Sequence, residues 1–291
     1  MNFSQPVSQL IRKRYSCRTY HDNPIQETDL NELEDFISSC QKGPLGNQAR
    51  FSIVAARKRD SGALRGLGTY GFIKNPTGFV LGAIQNKPGS LEDFGYLLEI
   101  ILLKTTDKNI GSCWLGGTFT KSRFARIMDL QKGEYIPSVA SIGYPADQQA
   151  WMDRVSRLYA GADRRFPWDV LFFSDHMENP IYPKETGKYR EVLELVRLAP
   201  SASNKQPWRI VKIGNAWHFY LKRTRQYPPP VFDILLNLAD LQRVDLGIAM
   251  AHFELSAEEI GLAGKWIVQD PEIPLPDRLT EYTVSWYAND K

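Results

Sequence analysis

The chain carries the same punctuation twice. Asn23-Pro24-Ile25 opens an amphipathic stretch ending at Gly43-Pro44, and Asn47 then precedes the β-like run Phe51-Ser52-Ile53-Val54. Asn179-Pro180-Ile181 opens a similar stretch ending at Ala199-Pro200, with Asn204 ahead of Trp208-Arg209-Ile210-Val211. The paired prolines are 156 positions apart (180 − 24 and 200 − 44), and the strand starts 157 apart (208 − 51) after one inserted residue. Further on, Asp93-Phe94-Gly95 leads to Ile110-Gly111 and Trp114, while Asp245-Leu246-Gly247 leads to Ile260-Gly261 and Trp266. A duplicated half predicts a pseudo-symmetric fold, and a site at its symmetry interface draws residues from both copies.

The expected organisation is two tandem halves, residues 1–150 and 151–291. Val7, Leu10 and Ile11 share one face of a short helix over 4–13. A second helix starts at Thr28-Asp29-Leu30, with Leu30, Leu33, Phe36 and Ile37 as its apolar stripe. Strands are predicted at 51–56, 78–84 and 139–142, and a long helix at 91–108 with Phe94, Leu97, Leu98, Ile101 and Leu102 on one side. The second half repeats this as helix 188–198, strands 208–213 and 216–221, long helix 235–260 and final strand 282–287. Between them, 146–183 reads as an irregular linker carrying Arg154, Arg157, Arg164 and Arg165. Without a strict βαβ rhythm, the class is α+β rather than a doubly wound parallel sheet.

With 43% hydrophobic residues the chain can bury a core, and a net charge of +3 spread along it gives no reason to expect nucleic acid. Cys17, Cys40 and Cys113 form no CxxC and no even framework, so a reducing cytoplasm is the expected setting. The start has no signal core, and the most apolar run, Tyr96 to Leu103, is too short for a bilayer and contains Glu99; no membrane partner is expected.

Gly66-Leu67-Gly68-Thr69-Tyr70-Gly71 satisfies GxGxxG, but a dinucleotide fingerprint needs a strand before it and a helix after. A turn precedes it here, and Pro76 and Gly78 bar a helix, so it reads as a Gly-rich loop. The four histidines lack metal-ligand spacing, and no metal is expected. Two clusters are more informative. In Arg12-Lys13-Arg14-Tyr15-Ser16-Cys17-Arg18, alternation along an extended segment points Arg14, Ser16 and Arg18 the same way, which suits an anionic group as well as a solvated turn. In Ala199-Pro200-Ser201-Ala202-Ser203-Asn204-Lys205-Gln206-Pro207-Trp208, small residues allow close approach while Asn204 and Gln206 offer donors and acceptors for a flat heteroaromatic edge. The plainer reading of that stretch is a loop between a helix and a strand.

Together the clusters resemble the nitroreductase family of FMN-dependent enzymes, in its single-chain branch of putative TM nitroreductase type. Arg14-Tyr15-Ser16-Cys17-Arg18-Thr19-Tyr20 is similar to the family's R-R-S-x-R signature, and residues 199–208 match its A-P-S-x-x-N-x-Q-P-W segment in full. Gly111 to Gly117, Ile142 to Pro145 and Arg164-Arg165-Phe166-Pro167 resemble later segments in the family's order. The resemblance implies an α+β fold in which the two halves form an intramolecular pseudo-dimer around long central helices. It implies FMN held by Arg14, Ser16, Arg18, Arg164 and Arg165 at the phosphate, with Pro200, Ser201, Ser203, Asn204 and Gln206 at the ring or ribityl chain. Backbone near Leu115, Gly116 and Gly117 would line the dimethylbenzene side. The implied activity is ping-pong hydride transfer from NADH or NADPH through flavin N5 to a nitroaromatic, quinone or similar small-molecule acceptor, with no essential side-chain acid or base.

The reciprocal site departs from the pattern. At the 156 offset Val170, Phe172 and Ser174 stand opposite Arg14, Ser16 and Arg18, and the first half's loop, Gly43-Pro44-Leu45-Gly46-Asn47-Gln48-Ala49-Arg50-Phe51, lacks the Gln-Pro-Trp. One FMN per chain is therefore expected, in a monomer whose main interface is internal. The alternatives are a non-catalytic FMN storage or sensing protein, or a flavin-free scaffold.

Overall fold

The computed structural model describes residues 2–57, 62, 64, 67–69, 71–117, 119–146, 164–228 and 238–289. Arg154, Arg157, Lys58, Arg59 and parts of the Gly-rich loop, Gly66 and Tyr70 among them, lie outside the described residues.

The first half opens with α1 (Val7–Lys13) and α2 (Glu27–Ser39), amphipathic helices that bury Val7, Leu10 and Ile11 and Leu30, Leu33 and Ile37, with Phe36 of the predicted stripe partly buried. Strands β1 (Ala49–Ala55), β2 (Gly78–Gln85), β3 (Gly111–Leu115), β4 (Glu134–Tyr135) and β5 (Val139–Gly143) make an antiparallel sheet ordered β1-β2-β5-β3, with β4 on β2. Helix α3 (Ser90–Asp107) lies between β2 and β3, and α4 (Lys121–Met128) follows β3. The second half starts with α5 (Trp168–Leu171), β6 (Phe172–Ser174) and β7 (His176–Pro180). It continues through α6 (Tyr189–Arg197), β8 (Trp208–Ile213), β9 (Ala216–Lys222), α7 (Leu241–Glu259), β10 (Gly264–Ile267) and β11 (Thr280–Ala288). Its sheet runs β10-β11-β9-β8-β6-β7. If β1, β2, β3 and β5 are matched with β8, β9, β10 and β11, both sheets have one order. The repeat in the sequence is thus a repeat in topology.

The two long helices form the centre. Helix α3 is buried on nearly every side, Tyr96, Glu99, Ile100 and Leu103 included, which exceeds the single apolar face its periodicity predicts. It crosses α7 at a pair of glycines. A Cβ on Gly95 would fall inside the van der Waals envelope of the Val244 carbonyl oxygen, and one on Gly247 inside that of the Glu92 carbonyl oxygen. Residues 92 and 244, like 95 and 247, are 152 apart, so the contact is reciprocal, as a two-fold relation between halves produces.

Two expectations are corrected. Helix α7 begins at Leu241 with Asp240 as its N-cap residue; of the expected earlier start, residues 238–240 are non-helical and 235–237 lie outside the described residues. The stretch 146–183 is not wholly irregular: β6 pairs parallel with β8 and antiparallel with β7, adding an edge to the second sheet. Phe172, fully buried there, is held by packing rather than by the polar chemistry of its counterpart Ser16.

Candidate cofactor site

The segment leaving α1 is pinned to the first sheet. Arg14, the C-cap residue, has an extended backbone, and Ser16 forms a parallel bridge with Ser112 in which the Cys17 N–H donates to the Ser112 carbonyl at 2.9 Å. The Lys74 N–H donates to the Arg18 carbonyl at 2.8 Å, and the buried Tyr20 hydroxyl donates to the Cys17 carbonyl at 2.7 Å. These bonds fix the backbone from which Ser16 and Arg18 project.

The second component is the loop after α6. Pro200 ends the helix, and a single 3₁₀ turn at Ala202–Asn204 follows. Ser203, Asn204 and Gln206 all have left-handed backbones (φ 49°, 54° and 46°), a strained run that internal bonds hold in place. The Gln206 N–H donates to Ser201 Oγ at 2.9 Å, and the Asn204 N–H to the Ser201 carbonyl at 2.9 Å.

These two components, the end of β3 and the first turns of α7 enclose a cavity of about 550 Å³. Ser16, Arg18, Leu115, Gly116 and Gly117 come from the first half; Pro200, Ser201, Ser203 and Lys205 come from the second. Leu241, Val244, Asp245 and Ile248 of α7 form one wall, and Tyr227 another part of it. Gly116 lies close to α7: a Cβ there would meet the Leu241 side chain, which would have to shift. Arg18 Nη1 is buried without a hydrogen-bond partner, as is the hydroxyl of Ser138, a further lining residue. A buried guanidinium nitrogen in that state calls for an anionic acceptor.

Five predicted residues are not among those lining this cavity. The Arg14 side chain is only 5% exposed and turns inward, its Nε 3.3 Å from Glu99 Oε1 in α3. Alternation along the backbone was therefore a poor guide to its direction, because a buried carboxylate competes for it. Asn204 donates through Nδ2 to the Arg164 carbonyl at 2.8 Å, and Arg165 Nη2 donates to the Leu198 carbonyl at 3.2 Å. Gln206 has both ends of its amide engaged, Oε1 accepting from the Phe166 N–H at 2.8 Å and Nε2 donating to the Arg164 carbonyl at 3.3 Å. Arg164 itself is exposed. These four brace the loop from behind. Conversely, Lys205, Tyr227 and Asp245 line the cavity although none stood out as functional; Asp245 was visible only as a marker of the repeat.

The reciprocal position also holds a cavity, of about 640 Å³, lined by Leu45, residues 86–92, Asp240, Arg243, Val268, Tyr282 and Thr283. Its chemistry differs. Arg243 is already paired with Glu92 at 2.7 Å and Glu281 at 2.8 Å, and Arg223 bridges Asp240 and Glu281.

Among the described residues no helix is long and apolar enough to cross a membrane, and no group of three acidic, histidine or cysteine side chains could hold a metal. Cys17, Cys40 and Cys113 are buried and form no disulfide among the described residues. A search of curated proteins found no significant match. Among solved structures, one titled as a putative nitroreductase from Thermotoga maritima aligns over 100% of this chain and 97% of its own, with 19% identity and a TM-score of 0.61. A nitroreductase family protein from Clostridium difficile aligns over 57% of this chain and 94% of its own, at 18% identity and a TM-score of 0.40. An FMN and NADPH-dependent nitroreductase from Sphigopyxis sp. strain HMH aligns over 52% of this chain and 92% of its own, at 15% identity and 0.40. The family described as "Putative TM nitroreductase" matches residues 6–257, and with the fold shared along the full chain this protein belongs to that nitroreductase family.

Proposed function

We propose that the protein is an FMN-dependent NAD(P)H oxidoreductase holding one FMN per chain between its halves. The observation that carries this reading is the buried, unpartnered Arg18 Nη1 at a cavity built jointly by Ser16, Arg18 and the Pro200–Ser203 loop. Arg18 and the Ser16 hydroxyl would hold the phosphate, Lys205 adds a second cation, and the small side chains of Pro200 and Ser201 would pack against the ring. Bound FMN would supply hydride acceptance and donation at N5. The chain's own part is to position the ring, with Leu241, Val244 and Ile248 as an apolar wall that keeps water from it. A small nitroaromatic or quinone is the acceptor in this reading, and NADH or NADPH is the reductant.

The reciprocal cavity supports one flavin rather than two. A phosphate there would meet Glu92, Asp240 and the neighbouring Glu281, with Arg243 and Arg223 already committed to those carboxylates. The internal pairing of halves favours a monomer. Purified protein is expected to be yellow and to release close to one flavin per chain on denaturation; two would sink the single-site reading. Steady-state NADH or NADPH oxidation should follow with a nitroaromatic or quinone acceptor, and flavin that neither nicotinamide reduces would remove the enzymatic reading. Arg18→Ala is expected to weaken FMN binding by about tenfold or more, the equivalent of one charge-assisted hydrogen bond. Unchanged affinity in a fluorescence titration would take the phosphate away from this cavity.

A further inference from the structure

The repeat provides an internal control for one side chain of the cavity. Asp93 in α3 and Asp245 in α7 occupy matching positions, and both are almost wholly buried, at 0% and 2% exposure. Asp93 is saturated. Its Oδ1 accepts the Leu45 N–H at 2.8 Å, and its Oδ2 accepts the Asn47 N–H at 2.8 Å and Asn47 Nδ2 at 3.0 Å. Asp245 is half satisfied: Oδ1 accepts the Ala202 N–H at 2.9 Å, and Oδ2 is buried without a partner. The reason lies in the loop. Asn204, the counterpart of Asn47, spends its amide on the Arg164 carbonyl and on Arg165, so the donor that quiets Asp93 has been withdrawn from Asp245. Asp245 lines the candidate cofactor cavity, whereas Asp93 lines neither that cavity nor its reciprocal.

We propose that Asp245 is a binding residue of the cavity, a neutral carboxylic acid whose Oδ2 hydroxyl donates a hydrogen bond to a carbonyl oxygen or imine-type nitrogen of the bound flavin ring. The assignment rests on the flavin reading above. A neutral acid offers one donor, and leaving it unused in a dry site is costly, so an acceptor brought by the ligand completes the group. The surroundings favour the protonated form. Burial pushes the Asp245 pKa well above the carboxylate range, the Ala202 N–H offsets this in part, and the charge of Asp240 adds to it. Arg18, Cys113, Lys205 and Tyr227 are the other ionisable groups on the cavity wall.

The test uses the full chain, titrated with FMN and followed by infrared difference spectroscopy. Wild type should show the carbonyl stretch of a protonated acid that shifts when FMN is added, and Asp245→Asn should lack it. The asparagine can still accept from Ala202 and donate from the Oδ2 position, so it should bind FMN within about threefold of wild type. Asp245→Leu, which can do neither, should bind about tenfold more weakly or worse. FMN binding that moves no acid band in wild type, or equal affinity of the asparagine and leucine variants, overturns the assignment and leaves Asp245 as a brace for the loop. If the leucine variant does not fold, the infrared comparison of wild type with Asp245→Asn decides. Wild type that takes up no FMN overturns the flavin reading itself, a distinct result.

Discussion

Gly247→Val is expected to destabilise the folded protein by roughly 3 kcal/mol or more, lowering the melting temperature by about 6–12 °C. A glycine inside a helix costs roughly 0.5–1 kcal/mol relative to alanine, so its presence there needs a compensating reason. Here the reason is clearance. The new side chain would have to occupy the space of the Glu92 carbonyl oxygen, a backbone atom of α3 that cannot step aside as a flexible side chain would. The helices must separate, and separation loosens the cluster in which Phe94, Leu97, Leu98, Leu246, Met250 and Phe253 are buried. Gly95→Ala should act in the same direction through the Val244 carbonyl, because the contact is reciprocal. Gly133→Asn is the control: Gly133 has nothing within 4 Å, and asparagine tolerates its left-handed backbone (φ 85°). Urea denaturation placing Gly247→Val within about 0.5 kcal/mol of wild type would show that the crossing is not close-packed as described.

Much of this architecture was legible in the sequence because it rests on local pattern. The stripe of α2, the β-branched run of β8, the aromatic run of β9 and the buried run of β2 all announce themselves within ten residues. The elements that escaped are short or have mixed patterns. Gly111–Leu115 and Gly264–Ile267 carry a glycine and a tryptophan each and become strands β3 and β10 through the sheets that receive them. Residues 172–174 look like linker until β8 supplies a parallel partner. The site divides in the same way. Ser16, Arg18, Pro200, Ser201 and Ser203 were readable from motif order and do share one cavity. The direction of Arg14 was not, since it depends on a carboxylate 85 residues away (99 − 14) in an apolar helix. Asp245 was hidden for a related reason: its open valence depends on where the Asn204 amide goes, and that is decided by the carbonyl of Arg164.

That distant carboxylate is the second place where one substitution should have a large effect. Glu99 has no solvent exposure and is held from three sides: Arg14 Nε at 3.3 Å, His252 Nε2 at 3.1 Å and Trp114 Nε1 at 2.8 Å. His252 Nδ1 faces the Leu195 carbonyl at 2.9 Å, so the node ties α1, β3, α3, α6 and α7 together. Burial alone would raise the Glu99 pKa, but the charge of Arg14, with His252 and Trp114, outweighs it and holds the carboxyl below its usual value. The sign of the linkage follows. Stability from this group is fully present above the unfolded-state glutamate pKa of about 4.3 and is lost as pH falls through the lower folded-state value. Glu99→Ala is expected to cost about 3–5 kcal/mol at neutral pH, because it leaves the buried Arg14 guanidinium without its counter-charge. Glu99→Gln should cost less and should flatten the acid limb of a stability-against-pH curve; an unaltered acid limb would show that Glu99 is not the titrating group. The same node separates the two arginines of the signature. Arg14→Ala strands Glu99 and should appear first as lost stability, whereas Arg18→Ala should appear first as lost FMN affinity with little change in melting temperature. Should Arg14→Ala instead release FMN at unchanged stability, the phosphate site extends to Arg14, and its contact with Glu99 contributes little to the fold.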